Sequence, residues 1–167
     1  MPKTNRKVPA VLGFGGSDPS WGFADANGAM MASKGIAVLG LVYFQAAPEL
    51  PQSLDQIPIE YFQAGLDYLE TVPNIDKEHF GVVSGSRGSE AAFILASYDR
   101  RVRSVVVTTP SLVAWYGMSK EIVDYFRPKN FPFEVTHRSY RTGHGFDRES
   151  ASEIKAHIVT HFIETLK

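Results

Sequence analysis

Short apolar runs alternate with segments of helical period along the whole chain. Val8–Phe14 (VPAVLGF) predicts a buried strand, and a loop rich in Gly, Ser, Asp and Pro follows from Gly15 to Gly22. Phe23–Ser33 predicts a short helix, with Gly35 just past its end as a C-cap. Ile36–Phe44 (IAVLGLVYF) is a near-continuous β-branched and aromatic run, the pattern of a strand covered on both faces. Beyond the Pro-rich loop Ala46–Pro58, the residues Ile59, Phe62, Leu66 and Leu69 recur at helical spacing. Phe80–Gly85 predicts a third strand, Arg87–Tyr98 a helix, Val102–Thr108 a fourth strand and Phe133–His137 a fifth. Two further helices are expected around Lys120–Phe126 and Glu149–Leu166, the second with Ile154, Ile158, Phe162 and Leu166 on one face.

Strands that alternate with helices predict a parallel sheet with helices on both faces. Right-handed crossovers leave only doubly wound forms. The simplest is an α/β fold of about five parallel strands in the order 2-1-3-4-5, whose ligand crevice opens where the order reverses, between strands 1 and 3. At 167 residues the chain fits a single domain, 1–167. Its net charge of -1 argues against electrostatic capture of nucleic acid or of an anionic membrane. The absence of cysteine excludes disulfides, thiolate metal sites and a cysteine nucleophile. Met1–Lys7 is polar and basic and lacks the apolar stretch of a secretory signal. The longest apolar run, Ile36–Phe44, falls far short of the ~20 residues that span a membrane. A cytoplasmic location is the expectation.

The densest chemical signal is Val82–Glu90, VVSGSRGSE, which joins the third strand to a helix without a spacer. Within it Ser84-Gly85-Ser86-Arg87-Gly88 follows G-x-S-x-G, with serine in place of the first glycine. That pattern meets a steric demand: a strained turn lifts a serine oxygen above the sheet only if the residues two before and two after are small. The helix that starts behind Ser86 would add a positive dipole end beneath a developing oxyanion. An ordinary strand–turn–helix junction capped by serine is the competing reading.

Two further segments favour the chemical reading. Gly13-Phe14-Gly15-Gly16-Ser17-Asp18 follows the first strand, where Gly15, Gly16 and Ser17 would supply one N–H of an oxyanion hole and Arg87, after the nucleophile, the other. A dinucleotide loop competes there. However, Asp18 stands where the third glycine of G-x-G-x-x-G should fall, and the second strand ends in Tyr43-Phe44-Gln45 without a ribose-binding acid. His144, flanked by Gly143 and Gly145 in a loop after the last strand, stands in the chain order a hydrolase needs for its general base.

From Gly35 to Ser97 the chain resembles the C-terminal hydrolase domain of acyl-CoA thioesterases and bile acid-CoA:amino acid N-acyltransferases. The phrase YF..APELP..L..IP.EYF carries the resemblance. The tail TGHGFDRESASEIKAHIVTHFIETL looks more like dienelactone hydrolases. The resemblance implies an α/β-hydrolase fold and cleavage of a carboxylic ester or thioester through an acyl-enzyme, with Ser86 as nucleophile, His144 as base and no cofactor or metal. It also implies two more N-terminal strands and a seventh strand ending in a G-x-D-D turn that bears the triad acid. Against that pattern the chain is expected to begin where those two N-terminal strands would end, and Val105–Met118 runs almost directly into the next segment, so the acid and its strand are expected to be missing. Asp147, three residues past His144, is the candidate replacement, and a Ser–His dyad is the alternative. A catalytically silent module acting through binding or oligomerisation is the rival to the enzyme.

Other features carry plainer expectations. His157 and His161 have metal-ligand spacing, but a solvated helix face is expected. Trp115, Tyr116, Tyr125 and Phe126 fit either core packing or an acyl site, and Arg100–Arg103 fits a solvated strand entrance or a phosphate contact. The run Ile36–Phe44, an apolar sheet edge without Pro or charge, predicts a homodimer.

Overall fold

The computed structural model describes residues 1–115, 125–126 and 148–166. The elements, in chain order, are β1 (Val8–Phe14), α1 (Gly22–Ser33), β2 (Ala37–Gly40), α2 (Ile59–Thr71), β3 (Ile75–Gly85), α3 (Gly88–Tyr98), β4 (Val102–Thr108), β5 (Ala114–Trp115), β6 (Tyr125–Phe126) and α4 (Arg148–Thr165). Four of the strands form one parallel sheet in the order β2-β1-β3-β4, the doubly wound arrangement that the alternation of elements implies. The fifth strand expected at Phe133–His137 lies outside the described residues, as do His144 and Asp147.

Side chains alternate across this sheet with period two, so each strand feeds both layers. Ala10, Leu12 and Phe14 of β1, with Phe80 and Val82 of β3, pack under Phe62, Leu66 and Leu69 of α2 and Ala92, Leu95 and Ala96 of α3. Val11 and Val83 point the other way, onto Met31 of α1, onto Ile154, Ile158 and Phe162 of α4, and onto Leu166 just past its end. The helical stripe read in the last helix is thus its docking face. Gly81 completes that face by having no side chain: a Cβ there would meet Phe162 Cε1 at 2.6 Å. At the end of α1 the N–H of Gly35 donates to Ala32 O and that of Ile36 to Met31 O. With Gly35 at φ +83°, this is the double-bonded cap that glycine permits at little steric cost.

Three elements differ from their sequence expectation. The second strand is shorter, Ala37–Gly40, because the chain turns out of the sheet. Leu41 N–H still donates to Gly13 O, but Tyr43 swings under α2 to pack with Phe14 and Phe62, and Phe44 packs against Tyr43. The third strand is longer and starts at Ile75, which is buried and pairs with Val8 across an irregularity in the ladder. Tyr125–Phe126, expected in a helix, is extended and pairs antiparallel with Ala114–Trp115, where cross-strand hydrogen bonds replace helical ones; residues 120–124 lie outside the described residues. Tyr116, of the aromatic group, lies outside them too. Among the described residues no helix is long and apolar enough to cross a membrane.

Candidate active site

The site forms where β1 and β3 end side by side. Phe14 and Ser84 are partners across the ladder, so the loop after β1 and the turn after β3 leave the sheet at one level. From Gly85 the backbone turns into α3 within two residues, and Ser86 adopts φ +50°. A non-glycine residue in that left-handed region costs roughly 1–2 kcal/mol. No side-chain cap is made at the start of α3, which separates this turn from a simple serine-capped junction.

The strain at Ser86 is held from three directions. Its N–H donates to Thr108 O at 2.9 Å, at the end of β4. Its carbonyl accepts from Ser89 Oγ at 2.6 Å and from Ser89 N–H at 3.1 Å. The Ser89 hydroxyl in turn accepts the Ser111 N–H at 2.8 Å, fastening the loop after β4 to the same turn. Thr109, next to the carbonyl that holds Ser86, has φ +45°, an uncommon state for a β-branched residue. Two strained residues thus face each other at adjacent strand ends, the placement in which such strain is characteristically retained.

The loop after β1 is pressed against this turn. A Cβ at Gly16 would meet Ser86 Cβ at 2.7 Å, Gly85 O at 2.9 Å and Arg87 N at 3.1 Å. A Cβ at Gly88 would strike Gly15 O and Ser84 Oγ. Small residues at positions 16, 84 and 88 are therefore required by contact. Four of the residues singled out in the sequence, Gly15, Gly16, Ser86 and Arg87, stand together, and Ser17 is exposed beside them.

Beyond the turn lies a pocket of about 310 Å³ with apolar walls from Leu54, Ile57, Phe62 and Ile94. Its polar side holds Tyr43 and the Arg87–Glu90 pair, joined at 3.0 Å with both side chains largely buried. Tyr43 is 4% exposed, and its hydroxyl donates to the carbonyls of Gly15, at 3.0 Å, and Gly16, at 2.7 Å. Burial, and then the charge of Glu90, push that phenol well above its ordinary value, so it stays a donor.

Sequence reasoning missed Tyr43 and Ser89. Tyr43 was hidden in an apolar run that read wholly as strand, and its only signal was a hydroxyl at the end of that run. Two other expectations change. His161 is not on a solvated face: its Nε2 is 2.9 Å from Ser104 Oγ, because the turn of α4 that buries Phe162 also brings His161 over β4. Arg101 is committed elsewhere, with Nε and Nη2 on the two oxygens of Asp99 at 2.9 and 2.6 Å and Nη1 2.7 Å from Asp67 Oδ1.

Residues 57–144 match the family described as BAAT / Acyl-CoA thioester hydrolase C terminal. Acyl-coenzyme A amino acid N-acyltransferase 1 of Mus musculus is 35% identical over 85 residues, 51% of this chain and 20% of that protein. Mitochondrial acyl-coenzyme A thioesterase 2 of Mus musculus is 29% identical over 104 residues, 62% of this chain and 22% of that protein. The chain thus spans about a fifth of the length of the curated relatives it matches. Among solved structures, acetyl xylan esterase 1 from Thermoanaerobacterium sp. JW/SL YS485 superposes with a TM-score of 0.52 at 21% identity, over 68% of this chain and 43% of that one. An acetyl xylan esterase from Paenibacillus sp. R4 gives 0.51 at 18%, over 63% and 41%. At such identities the likeness speaks for the fold, that of the α/β hydrolases.

Proposed function

The chain belongs to the BAAT / acyl-CoA thioester hydrolase C-terminal family, and on that footing we propose that it is a serine hydrolase of carboxylic esters or thioesters. One observation carries the proposal: Ser86 sits in left-handed backbone at a strand–turn–helix junction with the Gly15–Gly16 loop in van der Waals contact behind it. The relatives' names, which include acyl-CoA thioesterases, support a thioester or ester as the substrate.

In this reading Ser86 Oγ attacks the substrate carbonyl while His144 takes its proton. The oxyanion of the tetrahedral intermediate is met by the N–H of Arg87 and by N–H groups of the Gly15–Ser17 loop, at the positive end of α3. Collapse expels the alcohol or thiol, which takes the proton back from His144. Water, deprotonated by the same imidazole, then releases the acid and restores Ser86. Asp147 would hold the second nitrogen of His144. Without it the pair acts as a dyad, and in either case turnover is slow and confined to activated or short-chain substrates. A thiol, near pKa 8.5, leaves with less proton assistance than an alcohol, so a weakened triad favours thioesters. The reading places the protein in the cytoplasm as a homodimer.

The test is active-site labelling. A fluorophosphonate probe should label the wild-type protein and not Ser86→Ala, which should also lose turnover of p-nitrophenyl and acyl-thioester substrates while melting like the wild type. Wild-type turnover in Ser86→Ala would overturn the assignment, and an unlabelled, inactive wild type would leave the binding module. Asp147→Asn should lower kcat tenfold or more in a triad and change little in a dyad.

A further inference from the structure

The Gly15–Gly16 loop, poised at the proposed oxyanion hole, is made of residues that cannot fix their own orientation. Glycine has the freest backbone dihedrals of any residue, and an oxyanion hole is effective only if its donors are set in place before charge develops. Something outside the loop must clamp it. Tyr43 reaches it from 27 and 28 residues away in sequence.

Its ring is itself locked. It meets Phe14 edge-on, with centroids 5.8 Å apart, and lies tilted against Phe44 and Phe62 at 5.3 and 5.1 Å. From that fixed base one hydroxyl proton is shared between the carbonyls of Gly15 and Gly16. Those carbonyls belong to consecutive peptide groups, Gly15–Gly16 and Gly16–Ser17. A trans peptide is planar and its N–H points opposite to its C=O. A hydroxyl that holds both carbonyls therefore turns the N–H groups of Gly16 and Ser17 away from the core. The contacts of Gly16 with Ser86 and Arg87 place the loop beside the third donor, the Arg87 N–H.

We infer that Tyr43 is a positioning residue that fixes the two peptide planes of the oxyanion loop through its single hydroxyl. The inference rests on the serine-hydrolase reading above. Tyr43 touches no reacting atom. It acts through Gly16 and Ser17, so its loss should weaken transition-state stabilisation while sparing substrate binding. The buried phenol does not ionise in the working range, so its removal should leave the shape of the pH–rate profile unchanged.

The experiment is Tyr43→Phe, which keeps the ring and its packing and deletes the hydroxyl. Tyr61→Phe serves as the control, because the Tyr61 hydroxyl also donates to a backbone carbonyl, that of Val42 at 2.9 Å in the peptide leading into Tyr43, so it reports a general loosening of that segment. Tyr43→Phe should lower kcat by roughly tenfold to a hundredfold, the scale of a displaced donor or a misplaced reacting group, with KM within about twofold of wild type. It should slow fluorophosphonate labelling of Ser86 in parallel, and Tyr61→Phe should do neither. Equal kcat in Tyr43→Phe and wild type would overturn the inference, as would a kcat loss that Tyr61→Phe matches at the same melting temperature. A wild-type protein that the probe does not label would overturn the serine-hydrolase reading, and the inference with it.

Discussion

Gly16 and Gly28 differ only in what surrounds them, and the contrast puts a scale on the candidate site. A Cβ at Gly16 would press on the backbone of the Ser86 turn, at 2.9 Å from Gly85 O, and backbone cannot rotate aside as a long side chain would. A Cβ at Gly28, inside α1, meets nothing within 4 Å. Gly16→Ala should therefore lift the loop off the turn and lower kcat/KM by about a hundredfold, with a smaller effect on melting. Gly28→Ala should leave kinetics alone and raise stability by about 0.5–1 kcal/mol, the usual gain for alanine over glycine in a helix. Steady-state kinetics and thermal melting of the two variants check both halves. The same contacts explain why Ser86 was legible in the sequence: close approach of two backbones forces small residues at fixed offsets, and small residues at fixed offsets make a motif. Tyr43 left no such trace, because the carbonyls it holds lie 27 and 28 positions away, and the tie that Ser89 makes to the loop after β4 runs to the Ser111 N–H, 22 positions away.

Among the elements, α1 to α4 were read within a residue or two at each end, since the 3.6-residue period and the caps are local properties, whereas the helix expected at Lys120–Phe126 failed at Tyr125–Phe126, which pairs as a strand. Ile36–Phe44 was misread because composition reports burial and not the element that provides it: Tyr43 and Phe44 are as buried under α2 as a strand would have made them. The turn between α3 and β4 carries a feature that charge counting could not rank. Asp99 is 7% exposed, and Arg101 grips both its oxygens while bridging to Asp67 and Glu70 of α2. The Arg101 hydrogen bonds hold the Asp99 carboxyl below the usual carboxylate range. The folded state thus binds this proton less readily than the unfolded chain. The resulting stability is full above about pH 4 and is lost as pH falls from there through the lower folded value. Arg101→Ala should cost about 2 kcal/mol at neutral pH, because it strands a buried carboxylate, and the gap from wild type should narrow below about pH 4. Urea unfolding midpoints at pH 7 and pH 3 measure it; a gap that does not change with pH would contradict this account.

For the whole molecule, the order of strands followed from the alternation of elements and the short connections between them, without any knowledge of the site. That order puts β1 beside β3, and the proposed chemistry falls between their ends. It also puts β2 at the outside of the described sheet, with Val38 and Leu39 half-buried and no proline or charge along Ala37–Gly40. The unpaired N–H and C=O groups of such an edge are a template for pairing with another chain. Light scattering at micromolar concentration should therefore give the mass of a dimer, and a monomer would refute the pairing.

The docking of Phe162 on Gly81 also has a meaning in time. A ribosome delivers a chain from its N-terminal side onward, so β1 to β4 and the Ser86 turn are all complete once Thr108 has emerged. The opposite face of the sheet, with Val11 and Val83 on it, is covered in part by Met31 of α1, and the remainder is sealed by residues from Ile154 to Leu166. At roughly 5–20 residues per second, several tens of residues must still be made, and the part of that face left open by α1 stays bare to water for a few seconds. The nascent protein acquires the architecture of its chemistry before it acquires its seal, and in that interval its bare face is open to a chaperone or to another unfinished copy.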